Sequence, residues 1–281
     1  MTRTNTTQPI FVVTLLAGLA GLAGLAGPAR AADEPPRVSN DRLIFSANGL
    51  TLTDTDGGGG GSVAWLHNFN PNTIVGIGGD YQTVAHAHWQ FASLTAAYGR
   101  GSAEHRTNFY AEAHEGGGND TGRGFDYSIV AAGLYQNVTH QLSLQFEDKQ
   151  IDVDATHGNL PKFGVQYLWS PKLLTNVAYS HSVSGGLGVR LYSARLDYFG
   201  KKANLIVGGA AGQATARILN LQDAGLSVPG LNAHEGFIGI AKTFSGVEIT
   251  VLGDYLKLGS SERVTLTVNG AVPLRSHGRN R

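Results

Sequence analysis

Apolar and polar residues alternate one by one along most of this chain, and this period of two constrains the fold more than any other feature. In the segment 263–272, RVTLTVNGAV, valine, leucine and glycine share one parity, while arginine, threonine and asparagine share the other. Such alternation is typical of a β-strand with one apolar and one polar face. No long stretch has the apolar spacing of an amphipathic helix. The sequence therefore predicts an all-β fold.

The same alternation predicts fourteen strands, and their lengths narrow the fold further. They cluster near the roughly 9–11 residues that a tilted transmembrane strand needs, whereas strands of globular proteins average about 5–6 residues. We therefore expect a transmembrane, antiparallel, up-and-down β-barrel, with a water-soluble β-sandwich or solenoid as the alternative. The predicted strands are approximately 42–53, 61–69, 73–83, 88–99, 104–115, 123–137, 141–152, 160–170, 172–183, 187–199, 203–216, 234–244, 247–258 and 262–273.

The connections between these strands differ in length. Tight turns are predicted at 70–72, 137–140, 170–171, 200–202 and 245–246. Between them lie mostly longer or glycine-rich connections, predicted as loops at 54–61, 116–122, 154–159 and 218–232. Outer-membrane barrels place short turns at the periplasmic side and longer loops outside. An even strand number then brings both termini to the periplasm.

With this pattern, the chain resembles a Gram-negative, porin-like outer-membrane β-barrel from about Arg42 to Leu274. In length and strand rhythm it is loosely similar to YaiO-type barrels, a family linked to exopolysaccharide export. The resemblance implies that the partners are the outer-membrane lipid bilayer, the barrel-assembly machinery and a periplasmic or secretion-system component. One departure is the end of the chain, because the last strand is followed by RSHGRNR rather than ending on an aromatic residue.

The first thirty-one residues have the pattern of a secretory signal peptide. A cationic start at Arg3 precedes an apolar run from Ile10 to Gly27, and Ala29-Arg30-Ala31 supplies a small-residue cleavage site. A membrane anchor is the alternative reading. The predicted organisation is a signal peptide at 1–31, a periplasmic leader at 32–41, a barrel at 42–274 and a basic tail at 275–281. We expect export through the inner membrane and residence in the outer membrane.

Composition excludes several classes of function. Lysine and arginine together number 21, as do aspartate and glutamate, and the isoelectric point is near 7.2. A nucleic-acid partner is therefore not expected, because such proteins normally carry a basic surface. The absence of cysteine excludes disulfides, zinc–thiolate sites and a thiol nucleophile.

Aromatic residues test the barrel prediction, because transmembrane barrels carry two aromatic girdles at the membrane interfaces. Aromatic residues on the apolar parity fall mainly near strand ends rather than in the middle. One girdle is predicted from Tyr81, Phe125, Tyr127, Tyr179, Tyr192 and Tyr255, and the other from Phe69, Tyr98, Tyr135, Trp169, Tyr198 and Phe244.

The polar parity collects charges of both signs, which belong inside a barrel because a cation facing lipid costs up to about 2–4 kcal/mol. The predicted pore-lining residues are Asp80, Arg106, Glu112, Glu147, Lys149, Lys162, Arg195, Asp197, Glu235, Glu248, Asp254 and Arg263. Fourteen strands predict a narrow polar pore. Trp89 and Phe91 are predicted to face inward, either as a stacking platform for sugars or as a local core.

Signals for chemistry at a catalytic or metal site are weak. The pair His86 and His88 is a candidate divalent-metal site, but no carboxylate partner follows at a defined spacing, so no metal is expected. Ser180 and His181 are adjacent and would point to opposite faces of a strand. Nothing in the sequence predicts a cofactor, and no catalytic residue is assigned.

These observations predict a passive pore or export channel for small or carbohydrate-type solutes. A non-conducting barrel that scaffolds an envelope or secretion complex is the alternative. A lipid-modifying barrel enzyme is a third hypothesis, disfavoured by the lack of a catalytic triad.

Overall fold

The computed structural model describes residues 41–53, 56–70, 72–84, 87–102, 105–120, 122–153, 156–183, 187–214 and 231–274. The predicted signal peptide, the tail after Leu274 and nearly all of the predicted 218–232 loop lie outside these residues. The described residues form fourteen strands. They are β1 (Asp41–Leu52), β2 (Gly58–Asn70), β3 (Thr73–Val84), β4 (Ala87–Arg100), β5 (Thr107–Asp120), β6 (Arg123–Asn137), β7 (Leu142–Val153), β8 (Thr156–Ser170), β9 (Leu173–His181), β10 (Arg190–Phe199), β11 (Asn204–Ala214), β12 (Leu231–Phe244), β13 (Val247–Leu258) and β14 (Ser261–Leu274).

The strands close into one antiparallel barrel in which each strand pairs with its neighbours in sequence. Closure is made by β1 and β14, which pair continuously from Asp41 opposite Leu274 to Leu52 opposite Arg263. A closed sheet satisfies the backbone hydrogen bonds of every strand and has no edge. The prediction of an all-β, fourteen-stranded, up-and-down barrel is confirmed.

No helix among the described residues is both long enough and apolar enough to cross a membrane.

The two faces of the sheet explain the alternation in the sequence. On β14, Leu266 points outward with 57% of its surface exposed, whereas the adjacent Thr265 points inward and is 3% exposed. Apolar side chains are exposed in the same way around the outside of the barrel, including Ile77, Ile238 and Val264. An exposed apolar band of this kind suits a lipid environment rather than water.

The two described glycine runs, predicted as flexible loops, are strands. Residues 58–61 belong to β2 and residues 116–118 belong to β5, and both runs pair continuously with their neighbours. A Cβ atom on Gly116 would lie 2.7 Å from the Cβ of Phe91, and one on Gly118 would lie 2.7 Å from the Cβ of Trp89. The nearest atoms are backbone carbonyl oxygens of β4, Gln90 O at 2.0 Å from the first and His88 O at 2.4 Å from the second, so glycine is required where the backbones of β4 and β5 approach closely.

As a result, several connections are shorter than the loops predicted from the sequence. The connection after β5 is only residues 121–122 and the one after β7 is only residues 154–155. The two longest intervals between strands, 182–189 and 215–230, nevertheless follow strand ends, His181 and Ala214, that lie at the end of the barrel opposite Asp41 and Leu274. We call this end, away from the two terminal strand ends, the far end.

Candidate functional site: the barrel lumen

The predicted pore-lining residues occupy inward positions of the strand register. Ten of them lie within the barrel, namely Asp80, Glu112, Glu147, Lys149, Lys162, Arg195, Asp197, Glu235, Asp254 and Arg263. The other two lie at the end that holds the termini. Arg106 precedes β5 in a turn and donates to Asn108 Oδ1 at 2.9 Å, and Glu248 is exposed near the start of β13.

Two charge pairs are formed by residues two apart on one strand, which share a face. Arg195 donates from Nη2 to Asp197 Oδ1 at 2.7 Å and from Nε to both carboxylate oxygens at 3.0 Å. Lys149 Nζ lies 3.3 Å from Glu147 Oε1, and the Tyr110 hydroxyl also donates to Glu147. Burying a lone charge costs several kcal/mol, so these partners are what allow the charges to lie inside the wall.

A third group of charges spans β12–β14, and we call it the paired sector: Glu235, Asp254 and Arg263. Arg263 Nη2 donates to Asp254 Oδ1 at 3.1 Å, and the guanidinium also interacts with Glu235. Arg263 is only 5% exposed. One cation therefore serves two carboxylates in this part of the lumen.

The far end of the lumen is apolar, which sequence reasoning largely missed. One buried cluster contains Leu50, Val84, Ala87, Trp89 and Phe125. Trp89 is thus part of a local core, and its 2% exposure leaves no ring face for stacking against a sugar. The signal was present in the sequence, since each of these residues lies near the far end of its strand on the parity that faces inward.

The connection between β9 and β10 contributes to a second apolar cluster. Leu187 and Val189 are fully or almost fully buried, and they pack with Tyr127, Ile129 and Ile151. The backbone N–H of Val189 donates to Ser182 Oγ at 2.9 Å. These contacts bring part of the connection against the inner wall.

The girdle prediction is wrong for three residues of β6. Tyr127 is 3% exposed, and Phe125 is buried beside Trp89. Tyr135 pairs with Asn108 and therefore also faces inward. The reason is that the lumen is itself apolar at the far end, so the more apolar parity of β6 faces inward. The outward parity of this strand instead carries Asp126, which is exposed.

The remaining predicted girdle residues lie on the outward face. Tyr179 packs against Tyr192 with ring centroids 4.8 Å apart. The other residues are exposed on the outward face: Tyr81, Tyr192 and Tyr255 toward the far end, and Phe69, Tyr98, Trp169, Tyr198 and Phe244 toward the opposite end.

Neighbouring inward residues of β3–β6 form what we call the acidic aromatic cluster: Asp80, Phe91, Glu112, His114 and Tyr127. Asp80 pairs with Phe91, which pairs with Gly116, which pairs with Tyr127, so one row crosses four strands. The Phe91 and Tyr127 rings stack above Gly116 with centroids 5.8 Å apart and planes 29° apart. His114 meets Phe91 edge-on at 5.3 Å, and its Nε2 lies 3.5 Å from Glu112 Oε1.

A cavity of about 450 Å³ adjoins this row. It is lined by Asp80, Phe91 and Gly116, together with residues of the opposite parity. These other lining residues are Gly79, Gln90, Ala92, Glu115 and Gly117.

Within the described ranges, no three or more histidine, aspartate and glutamate residues are grouped in a way that would hold a metal ion. His88 is exposed at the start of β4, and His86 lies outside the described residues.

Comparison with known proteins identifies the fold. No protein-family model and no curated protein sequence matches this chain. Among solved structures, the chain is similar to the CymD monoaromatic hydrocarbon channel, with a TM-score of 0.61 and 10% identity over 85% of this chain and 90% of that one. A Pseudomonas aeruginosa FadL homologue has a TM-score of 0.55 at 6% identity, covering 85% of this chain and 91% of that one. The P. putida toluene transporter TodX has a TM-score of 0.52 at 10% identity, covering 86% and 92%.

The closed barrel, its apolar exterior and these similarities define the class: the chain has the fold of an outer-membrane β-barrel protein. Two of the similar structures are named as a channel and a transporter, and their likeness to this chain is one of fold.

Proposed function

We propose that this protein is a passive pore of the outer membrane for small solutes that carry an apolar part. The observation that carries the proposal is the mixed wall of the lumen: aromatic and aliphatic side chains cluster near the far end, the Arg263–Asp254 pair lies beside Leu50 and Leu52, and the Lys149–Glu147 pair lies nearer the middle of the barrel. Apolar pockets with a few placed polar groups are typical of small-molecule sites. We place the far end at the cell exterior, because the longest connections of outer-membrane barrels lie there.

The solute class differs from the carbohydrate type that the sequence predicts. Sugar recognition was expected from exposed Trp89 and Phe91 rings, and Trp89 is enclosed by apolar neighbours. Two similar structures, a monoaromatic hydrocarbon channel and a toluene transporter, are named for apolar solutes, which is in line with this proposal. A role in exopolysaccharide export rests only on the loose resemblance in sequence rhythm.

Planar-bilayer recording tests the pore. We expect the purified protein to give discrete current steps, and a complete absence of steps over a wide range of voltage would contradict the proposal. Leu187→Ala removes a buried side chain from the apolar layer and is expected to raise the step size. The matched control is Val183→Ala in the same connection, because Val183 is 65% exposed.

A non-conducting barrel is the second candidate, and the inward-packed connection favours it. Leu187 and Val189 fill space beside Tyr127 and narrow the lumen there. If this candidate is correct, neither the native protein nor Leu187→Ala conducts, and the barrel acts as a scaffold for a periplasmic or secretion-system partner.

The cleaved signal peptide at 1–31, the leader at 32–41 and the basic tail at 275–281 remain part of the proposal, as does assembly by the barrel-assembly machinery. Sequencing the amino terminus of the protein purified from outer membranes tests the first of these. A chain beginning at Ala32 is expected, and one beginning at Met1 or Thr2 would contradict cleavage.

A further inference from the structure

The acidic aromatic cluster contains buried polar atoms that have no hydrogen-bond partner. These are Asp80 Oδ1, Glu112 Oε1, the Tyr127 hydroxyl and both ring nitrogens of His114, although His114 Nε2 lies 3.5 Å from Glu112 Oε1. Glu112 is 6% exposed and Tyr127 is 3% exposed, and Tyr127 lies close enough to both carboxylates to interact with them electrostatically. A buried acceptor without a partner lowers the stability of the fold, and a charged one lowers it more. A ligand that brings hydrogen-bond donors would recover this cost.

The electrostatic field at the cluster is negative. Among the described inward-facing side chains of β3–β6 there are two carboxylates and one histidine, and no lysine or arginine. Lys162 on β8 interacts with Glu112. It lies directly opposite Glu147 on β7, and its interaction with Glu147 is the stronger of the two. Asp80 interacts with His114 and accepts one hydrogen bond from Gln82 Nε2, at 3.3 Å. The cluster therefore favours a cation.

The same cluster offers flat aromatic surface beside the carboxylates. The rings of Phe91 and Tyr127 stack over Gly116, which pairs with both residues and has no side chain to stand between the rings and its own backbone. Aromatic faces attract cations, and the attraction is stronger away from bulk water. Tyr127 itself is covered by Leu187 and Val189, so the half-buried ring of Phe91 is the aromatic surface that an apolar body can contact.

We propose that the acidic aromatic cluster binds small solutes made of an aromatic or aliphatic body and a protonated amine. The amine lies near Asp80 and Glu112, beside His114, and the body packs against Phe91. A neutral hydrocarbon would leave Asp80 Oδ1 and Glu112 Oε1 without a hydrogen-bond donor, and a carboxylic acid would be repelled by the carboxylates. This inference rests on the proposed pore, because the cluster lines its lumen, and it adds a charge preference that the pore itself does not require.

Equilibrium dialysis against the purified, detergent-solubilised barrel tests the preference without requiring conduction. The probes are 2-phenylethylammonium, 2-phenylethanol and 3-phenylpropionate, which share an aromatic body and differ in charge. We expect the amine to bind about tenfold more tightly than the alcohol, a difference of about 1.4 kcal/mol, and the acid to bind most weakly. Equal binding of the three probes would overturn the proposal.

Substitutions locate the site. Asp80→Asn and Glu112→Gln are each expected to weaken amine binding about tenfold and to change alcohol binding less than about twofold. The matched controls are Asp152→Asn and Glu262→Gln, which remove the same charge at outward positions and should leave all three probes unaffected. Loss of amine binding in the controls as well, or retention in both site variants, would overturn the assignment.

Two controls distinguish loss of the binding site from misfolding and from loss of the pore. The shift in gel mobility between heated and unheated samples reports whether each variant is a folded barrel, and Asp80→Asn carries the test if the more buried Glu112→Gln does not fold. Tight amine binding by a protein that gives no current steps would contradict the pore and support the site. Current steps together with no preference for the amine would support the pore and overturn the site.

Discussion

Two regions of the lumen wall handle buried charge in opposite ways. In the paired sector on β12–β14, Arg263 lies 3.1 Å from Asp254 and also interacts with Glu235, so the charges are held mainly by one another. In the acidic aromatic cluster on β3–β6, Asp80 and Glu112 have no arginine or lysine among the described inward side chains of their own four strands. Both regions contain buried acceptors without a hydrogen-bond partner, Asp254 Oδ2 in the first and Asp80 Oδ1 and Glu112 Oε1 in the second, so the regions differ in the group beside the carboxylates: a buried arginine in the first and a histidine in the second. We expect the first region to serve the stability of the wall and the second to accept a solute.

The largest expected effect comes from breaking the paired sector. Arg263→Met leaves Asp254 and Glu235 without their cation, and breaking a buried pair in this way costs about 3–5 kcal/mol. We expect this loss in the free energy of unfolding, measured by urea titration in lipid vesicles. Lys257→Met, which removes an exposed partner of Glu262, should give no measurable change. A comparable loss in Asp80→Asn would remove the distinction between the two regions.

A smaller effect is expected from filling the floor of the acidic aromatic cluster. Gly116→Ala brings a Cβ to 2.0 Å from the carbonyl oxygen of Gln90 and to 2.7 Å from the Cβ of Phe91, and overpacking of this kind costs about 1–3 kcal/mol. Gly236→Ala is the matched control, because a Cβ there meets nothing within 4 Å. The same urea titration measures both variants. Equal stability of the two would show that Gly116 is not needed for the Phe91–Tyr127 stack.

The smallest effects come from two inward tyrosines that differ in their partners. The Tyr110 hydroxyl donates to Glu147, whereas the Tyr127 hydroxyl has no hydrogen-bond partner. Tyr110→Phe is expected to lower the free energy of unfolding by about 1 kcal/mol or more, and Tyr127→Phe by less than about 0.5 kcal/mol. If Tyr127→Phe were the more destabilising change, its hydroxyl would already be bonded within the wall.

The fold was predictable from the sequence because strand alternation and strand length are local properties. The first and last residues of the strands were less predictable. Residues 116–118 read as a loop, since three glycines break any pattern of side chains, yet they pair within the barrel wall, where close packing of the β4 backbone requires glycine at 116 and 118. That packing depends on which strands are neighbours, which a single segment does not show.

The candidate site also contains residues whose orientation a single strand sequence does not predict. The inward positions of Asp80 and Glu112 followed from their parity, because charged groups avoid lipid. The position of Tyr127 did not, because β6 has apolar residues on the parity that faces an apolar part of the lumen. Assigning the apolar parity to lipid fails wherever the interior is itself apolar, and only the paired strands resolve the choice.

Cysteine labelling of β10 tests the central claim, a lumen reached by water and lined by the inward parity. The chain has no cysteine, so single substitutions report unambiguously. Ser193 faces inward and Ala194 faces outward, and both are exposed. In planar bilayers, a charged, membrane-impermeant thiol reagent is expected to modify Ser193→Cys and reduce the current, and to leave Ala194→Cys unchanged. Modification of Ala194→Cys with no change at Ser193→Cys would contradict the account.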